Sequence, residues 1–174
     1  LPIPLIVDPV MVATSGAHLL RDDAVDAYST RLLPIADLVT PNLPEVSVLL
    51  GEEITRLDQL ESAAQEISKI YNTSCLVKGG HLPSENKRID VLWCDGKSYH
   101  FSAPTVNVES THGTGCTLSA AITANSARGH SIPEAVQIAK DWVHSAISSS
   151  FDFTSHSGNA VQALNQLRPG ALQL

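Results

Sequence analysis

The sequence predicts an α/β domain in which a mostly parallel sheet is covered by helices. Short apolar runs rich in β-branched residues, typical of strands buried on both faces, alternate along the chain with segments of helical periodicity. Such alternation is typical of β-α-β units, whose strands pair in parallel. With 174 residues the chain is long enough for one sizeable core, and no internal repeat or linker indicates a second domain.

The first half of the chain is predicted to hold three strands and three helices. The strands cover residues 5–7, 36–40 and 74–77, and the helices cover about 17–32, 43–50 and 57–71. In the first helix, apolar residues supply a partial stripe, and Pro34 marks its end. Asn42 suits the N-cap of the second helix, with Pro44 in the first turn and Gly51 as its terminator.

The second half is predicted to begin with an antiparallel hairpin. Its strands cover residues 89–94 and 97–101, and the joining pair Asp95-Gly96 is the strongest short hairpin signal. A glycine-rich turn then leads into a helix through 118–127, and Pro133 is expected to open another helix to about residue 149. Residues 152–174 show only weak periodicity.

The glycine-rich turn, THGTGCT at residues 111–117, organises the rest of the chain. Gly113 and Gly115 permit a tight turn whose peptide N–H groups stay uncovered, and the following helix adds the positive end of its dipole. The segment is therefore a candidate anion site, with Cys116 in the first helical turn. An ordinary strand-to-helix turn with a small apolar cysteine stays open as an alternative. The spacing fits neither a Walker A loop nor a dinucleotide fingerprint.

Three polar residues follow predicted strands closely, namely Asp8, Asn42 and Lys78. Because ligands of parallel sheets bind beyond the carboxyl ends of the strands, we expect these side chains to share one edge with the turn at Gly113. Each has a plain structural alternative: Asn42 as a helix cap, Asp8 as a turn cap and Lys78 as a solvated lysine.

This set of side chains is suited to phosphoryl transfer, which depends on positioning and charge neutralisation. Lys78 is expected to bridge phosphate oxygens, while Asp8, Asn42 and Glu45 are expected to organise Mg²⁺ through water. Amides of the turn would stabilise charge on the transferred group, and Cys116 would face the attacking hydroxyl. For Glu45, a favourable interaction with the helix dipole is a sufficient alternative.

Composition argues against nucleic-acid-binding, membrane-spanning and secreted proteins. Eleven Lys and Arg against eighteen Asp and Glu give a net charge of −7 without a basic block, so nucleic acid is not an expected partner. The apolar runs are too short for a membrane span, and no signal peptide pattern appears. Three cysteines without CxxC spacing indicate a reducing, cytoplasmic setting, with Cys75 and Cys94 in the core.

Taken together, six motifs resemble the hydroxymethylpyrimidine/phosphomethylpyrimidine kinases, the thiamine-pathway members of the ribokinase-like superfamily. They are VDPVM at 7–11, SG at 15–16, TPNLPE at 40–45, VKGGH at 77–81, DVL at 90–92 and THGTGCTLS at 111–119. The resemblance implies a three-layer α/β/α fold. It also implies ATP- and Mg²⁺-dependent phosphorylation of 4-amino-5-hydroxymethyl-2-methylpyrimidine, and then of its monophosphate, to the pyrophosphate. Residues 1–174 are accordingly expected to be the carboxyl-terminal portion of a single kinase domain whose N-terminal part is missing.

The resemblance also assigns roles to individual residues. The anion hole is implied at Gly113, Thr114, Gly115 and Cys116, with Cys116 standing where relatives have a catalytic Asp. ATP contacts are implied for Lys78, Asn42 and Thr111, metal contacts for Asp8 and Glu45, and a position near the pyrimidine for Val10. The expected partners are the pyrimidine substrate and ATP, and a homodimer is a compatible assembly.

Residues 155–160 depart from the family's glycine-rich tail, where a Gly-Pro is usual. Two other functions stay open at this point. A pyridoxal or pyridoxine kinase shares the Gly-Thr-Gly turn, and a truncated, non-catalytic nucleotide-binding module would keep the phosphate edge alone.

Overall fold

The computed structural model describes residues 3–12, 17, 19–80, 82, 86–106, 113–154 and 160–167. Within these ranges, a five-stranded sheet forms the centre of the molecule, and its spatial order follows the chain order. The strands are β1 (Ile6–Val7), β2 (Leu38–Val39), β3 (Ser74–Lys78), β4 (Lys87–Cys94) and β5 (Lys97–Pro104). Strands β1, β2 and β3 pair in parallel, whereas β4 is antiparallel to both of its neighbours. Four of the five strands therefore point the same way, which confirms the mostly parallel sheet.

Five α-helices connect and cover the strands in the described part of the chain. They are α1 (Asp22–Ala27), α2 (Leu43–Leu50), α3 (Gln59–Tyr71), α4 (Thr114–Ala127) and α5 (Ile132–Ser148). Helix α1 continues into a π-helical turn at Tyr28–Leu32 and a 3₁₀ turn at Leu33–Ile35. No described helix is both long enough and apolar enough to cross a membrane.

Alternate residues of the strands enter two separate apolar cores, one on each face of the sheet. Val39, Val77 and Val91 pack with the buried faces of α2 and α3. Their chain neighbours Leu38, Leu76 and Leu92 pack with α4 and α5 instead. Because successive strand residues point to opposite faces, this division follows directly from continuous apolar runs. The result is the expected three-layer α/β/α sandwich.

The hairpin between β4 and β5 turns at Asp95-Gly96, as predicted. Both residues have positive φ, 50° and 72° respectively. Two left-handed residues in succession match a type I′ turn, whose twist suits the flanking strands. The hairpin predicted from the Asp95-Gly96 pair is therefore confirmed.

The helix predicted over 17–32 is wrong at its N-terminal end. The described residues before Asp22 are not helical, and Leu19 is 54% exposed. None of the residues of α1 is buried, so no apolar stripe holds a longer helix against the sheet. The strands predicted over 5–7 and 36–40 are likewise shorter than expected, since only two residues of each pair in the sheet.

The tail contains a second, two-stranded sheet that the weak periodicity of residues 152–174 did not predict. Strands β6 (Phe151–Thr154) and β7 (Ala160–Ala163) pair antiparallel, with Phe151 opposite Ala163. Each strand has only four residues, and β6 is exposed along its whole length. A strand this short and this exposed leaves no sustained pattern of apolar burial in the sequence.

Candidate active site

The Lys78 ammonium and the Asp8 carboxylate form an ion pair where β1 and β3 end. Lys78 Nζ lies 2.7 Å from Asp8 Oδ1, and the two side chains are 14% and 12% exposed. The Thr40 hydroxyl donates a 3.1 Å hydrogen bond to the same oxygen. Lys78 is therefore not a solvated lysine, because its charge is held in a fixed direction by partly buried partners.

Asn42 and Glu45 form a reciprocal capping box at the start of α2. The Asn42 side chain accepts from the Glu45 amide at 2.9 Å, and Glu45 Oε2 accepts from the Asn42 amide at 2.7 Å. Glu45 Oε1 also accepts from the Met11 amide at 3.2 Å, which anchors the segment that follows β1. The N-cap predicted for Asn42 is confirmed.

Glu45 is 1% exposed, and this burial raises the pKa of its carboxyl above the ordinary value. The amide hydrogen bond from Asn42 and the positive charge of Lys78 act in the opposite direction, while the negative charge of Asp8 adds to the effect of burial. Glu45 thus belongs electrostatically to the same cluster as Lys78 and Asp8. Its two oxygens nevertheless serve first as acceptors for backbone amides.

Backbone contacts hold Asn42 close to Lys78. A parallel β-bridge joins the two residues, and the Lys78 amide donates to the Pro41 carbonyl at 2.9 Å. The Asn42 amide group also donates to the Val12 carbonyl at 3.3 Å. The expectation that Asp8, Asn42 and Lys78 share one edge of the sheet is met in the structure.

Helix α4 begins directly against the ion pair. Gly113 is its N-cap, with φ of 81°, and the Thr117 amide makes the bond to the Gly113 carbonyl that starts the helix. A Cβ added to Gly115 would lie 3.2 Å from Lys78 Nζ and 3.7 Å from Asp8 Oδ2. Glycine at 115 therefore lets the positive end of the helix approach the ammonium group.

Cys116 and Thr114 complete the first turn of α4. The Cys116 side chain is exposed and its thiol is free, whereas Thr114 is half-buried. The Thr117 hydroxyl accepts a 2.8 Å hydrogen bond from Gln166, so the chain after β7 returns to this turn. The other cysteines are core residues as expected, and burial raises the pKa of Cys75 and Cys94.

Val10, two residues after Asp8, has the backbone conformation least suited to its side chain. Its φ is +42°, and the side chain is 42% exposed. A β-branched residue in the left-handed region is strained, and such strain is concentrated at functional sites. Val10 is thus a strained and partly exposed residue directly downstream of the Asp8-Pro9 pair.

Some predicted residues fall outside the described ranges. They are Thr111 of the glycine-rich turn, together with His81, His112 and the Ser15-Gly16 pair of the motifs given above. Among the described residues, no group of three or more His, Cys, Asp or Glu side chains is arranged to hold a metal ion.

Sequence reasoning quoted Thr40 and Asp90 within motifs but assigned no role to Thr40, Asp90 or Lys140. Thr40 supports Asp8, and Asp90 accepts from the Gly79 amide at 3.0 Å while pairing with Lys140 at 2.5 Å. The available signal was a charged residue at a core position. Asp90 interrupts an apolar strand, and Lys140 lies on the buried stripe of α5 together with Val136 and Val143.

The site combines an oriented ammonium, the N-terminus of a helix and a carboxylate, all at one edge of the sheet. The ammonium and the helix attract an anion that carries several oxygens, and the carboxylate can hold a cation beside it. These are the elements that phosphoryl transfer requires, and bound polyphosphate is the ligand they fit best.

Comparison with known proteins identifies related sequences. The sequence profile described as phosphomethylpyrimidine kinase matches residues 1–161. A hydroxymethylpyrimidine/phosphomethylpyrimidine kinase of Bacillus subtilis is 39% identical over 154 residues, which cover 88% of this chain and 57% of that protein. The chain thus spans little more than half the length of this relative.

Solved kinases share the fold. A Staphylococcus aureus pyridoxal kinase in complex with AMP-PCP matches with a TM-score of 0.80 and 32% identity, over 93% of this chain and 57% of that chain. A Clostridium difficile phosphomethylpyrimidine kinase matches with a TM-score of 0.70 and 36% identity, over 84% of this chain and 58% of that chain. The three-layer fold is therefore ribokinase-like.

Proposed function

The chain belongs to the phosphomethylpyrimidine kinase family, and on that premise we propose that it carries the phosphate-binding portion of a kinase domain. The proposed reaction is transfer of the ATP γ-phosphoryl group to 4-amino-5-hydroxymethyl-2-methylpyrimidine and then to its monophosphate. Residues 1–174 would be the carboxyl-terminal portion of that domain.

The single observation that carries the proposal is the convergence of Lys78, Asp8 and Gly115. Lys78 Nζ is fixed 2.7 Å from Asp8 and lies 3.2 Å from the position of a Cβ on Gly115. A phosphate group at this point would accept hydrogen bonds from the ammonium and from amides of the first turn of α4. We assign Lys78, Asn42 and Thr111 to ATP, and Gly113, Thr114 and Gly115 to the transferred phosphoryl group.

Asp8 is the residue best placed to hold Mg²⁺. The hydrogen bonds from Lys78 and Thr40 both end on Oδ1, whereas Oδ2 is the oxygen nearer to Gly115. Glu45 is buried and engaged with two amides, so its contribution would be negative charge behind the site. Mg²⁺ in such sites is usually coordinated by one or two carboxylates together with phosphate oxygens and water. When bound, Mg²⁺ neutralises charge on the phosphates.

Cys116 is the proposed catalytic residue facing the substrate hydroxyl. In the transfer, the hydroxyl oxygen forms a bond to the γ-phosphorus, and the bond from that phosphorus to the β–γ bridging oxygen breaks to release ADP. The hydroxyl proton passes to the Cys116 thiolate, or Cys116 only orients the hydroxyl if the loose transition state needs no base. Val10, which is partly exposed two residues after Asp8, would contact the pyrimidine.

The test is ADP release by the protein with ATP and Mg²⁺ in the presence of hydroxymethylpyrimidine, with pyridoxal as the competing acceptor. The proposal expects turnover that depends on the pyrimidine and is lost when Mg²⁺ is chelated. Absence of pyrimidine-dependent turnover in this protein, and in a form extended upstream, would contradict it.

Pyridoxal phosphorylation is the second candidate. It is favoured by the fold match to the Staphylococcus aureus pyridoxal kinase, whose TM-score of 0.80 exceeds the 0.70 of the Clostridium difficile relative. The same assay separates the two, since a higher kcat/KM for pyridoxal would support this second candidate.

The proposal also places the protein in the cytoplasm, supported by three cysteines that are all free. A homodimer stays a prediction that size-exclusion chromatography would test.

A further inference from the structure

Asp90 lies opposite Lys78 in the sheet. The two residues are register partners in the antiparallel pair of β3 and β4. Residues directly opposite each other project to the same face, with Cβ atoms about 5 Å apart. That face is the one covered by α4 and α5. Val77, which precedes Lys78, and Val91, which follows Asp90, pack on the opposite face with α2 and α3. A second carboxylate therefore lies within reach of the Lys78 ammonium.

Lys140 neutralises this second carboxylate. Its Nζ lies 2.5 Å from Asp90 Oδ2, and the side chains of Lys140 and Asp90 are 8% and 11% exposed. The other oxygen, Oδ1, accepts the Gly79 amide at 3.0 Å. Both oxygens of Asp90 are thus engaged, one by a charge from α5 and one by the residue next to Lys78.

The two ammonium groups and two carboxylates admit two pairings. The structure adopts Lys78–Asp8 and Lys140–Asp90. Lys78–Asp90 is the alternative that the sheet register permits, and it would draw the ammonium away from Gly115. Among the described residues, two further ionisable groups lie at this end of the sheet: Glu45, which interacts electrostatically with both Lys78 and Asp8, and Arg88, whose guanidinium donates to the Gly80 carbonyl.

We propose that Lys140 is a positioning residue: by pairing with Asp90, it prevents Asp90 from forming an ion pair with Lys78 in place of Asp8. Without the charge of Lys140, Asp90 is a nearly buried carboxylate that lacks a cationic partner, and Lys78 is the cation opposite it. The inference rests on the proposed function only in taking phosphate as the ligand of Lys78.

A purely structural ion pair is the alternative explanation. Buried ion pairs often contribute little net stability, yet removal of one partner destabilises the fold because it leaves an uncompensated charge. Melting temperature alone therefore does not separate the two explanations. Nucleotide affinity separates them, because loss of a purely structural Lys140–Asp90 pair would not change nucleotide binding by Lys78.

The decisive experiment measures binding of AMP-PCP with Mg²⁺ by titration calorimetry, at a temperature where circular dichroism finds each variant folded. Lys140→Met should weaken binding about tenfold, and the double variant Asp90→Asn, Lys140→Met should return to within about twofold of the parent. In a Lys78→Met background, Lys140→Met should have no further effect. If Lys140→Met does not fold, Lys140→Gln removes the charge and retains a hydrogen-bond donor to Asp90.

Unchanged affinity in folded Lys140→Met or Lys140→Gln would overturn the inference. If the parent protein binds no AMP-PCP, the proposed function fails, and a crystal structure of the variant then decides the inference. A hydrogen bond from Lys78 to Asp90 would support it, and retention of the 2.7 Å contact to Asp8 would overturn it.

Discussion

Lys78 and Asp8 are 70 residues apart in the chain, yet their charged atoms lie 2.7 Å apart at the end of the sheet. The pairing fixes a long, flexible side chain before any ligand arrives. Ordering a lysine side chain costs rotamer entropy. Because Lys78 is already ordered by Asp8, less of this entropy is lost when its ammonium binds a phosphate. Under the proposed function, Asp8 would therefore act on nucleotide affinity through Lys78 as well as through Mg²⁺.

Replacement of Lys78 by Met tests this relationship. The expected result is a loss of nucleotide affinity of about 100-fold, together with about 3 kcal/mol of stability, because Asp8 is left without its cation. Titration calorimetry and urea denaturation measure the two effects. The control is Lys69→Met on the exposed face of α3, which should change neither quantity. Normal affinity in Lys78→Met would remove this lysine from the phosphate site.

Gly115→Ala should reduce nucleotide affinity without reducing stability. The new Cβ would lie 3.2 Å from Lys78 Nζ, so the ammonium must give way by a few tenths of an ångström at the point where phosphate is proposed to bind. Alanine is otherwise the better helix residue, by roughly 1 kcal/mol. By contrast, Gly113→Ala meets no atom within 4 Å but has φ of 81°, so it should lose stability through strain. Equal stability losses in both variants would contradict this account.

Gly79→Ala should be among the most destabilising single changes in the molecule. Its Cβ would lie 2.4 Å from the Ile89 carbonyl oxygen and 2.7 Å from a methyl group of Leu60, so strand β4 or helix α3 must move. We expect a loss of about 3 kcal/mol in the free energy of unfolding. The neighbour Gly80 is the matched control, because a Cβ there meets nothing within 4 Å. A cost similar to that of Gly80→Ala would show that the contact is easily relieved.

Rules about the ends of secondary structure were sufficient to predict much of this site. The strand-edge rule brought Asp8, Asn42 and Lys78 together, because each polar residue closely follows a buried run. Local chemistry likewise predicted the cap at Asn42 and the turn at Asp95-Gly96, since both depend on residues that are close in sequence.

Contacts between distant core positions could not be predicted in the same way. The Lys140–Asp90 pair joins residues 50 apart, and each alone resembles an ordinary charged residue within an apolar pattern. Helix α1 illustrates the opposite failure. The helix predicted over residues 17–32 relied on a partial apolar stripe, but no residue of α1 is buried, so the local pattern overstated the length of the helix.

Glu45 should make stability depend on pH. Burial raises the pKa of its carboxyl above 4.5, so the folded protein holds this proton more tightly than the unfolded chain does. The stability contributed by the protonated carboxyl is fully present below pH 4.5 and is lost as pH rises through the folded pKa. Glu45→Gln lacks this titration. Urea denaturation from mildly acidic to neutral pH should find that the parent loses stability relative to the variant, whereas parallel profiles would contradict the prediction.

Cys116→Ala should lower kcat far more than it changes nucleotide affinity or stability. The thiol is exposed in the first turn of α4, so its removal leaves no cavity and no unpaired buried group. If the thiolate accepts the hydroxyl proton, the loss in kcat should be about 100-fold or more. The control is Thr123→Ala, an exposed change two helical turns further along. Coupled ADP-release kinetics give kcat and KM for each variant. An unchanged kcat would leave Cys116 without a chemical role, and transfer would then rest on the positioning supplied by Lys78 and the amides around Gly115.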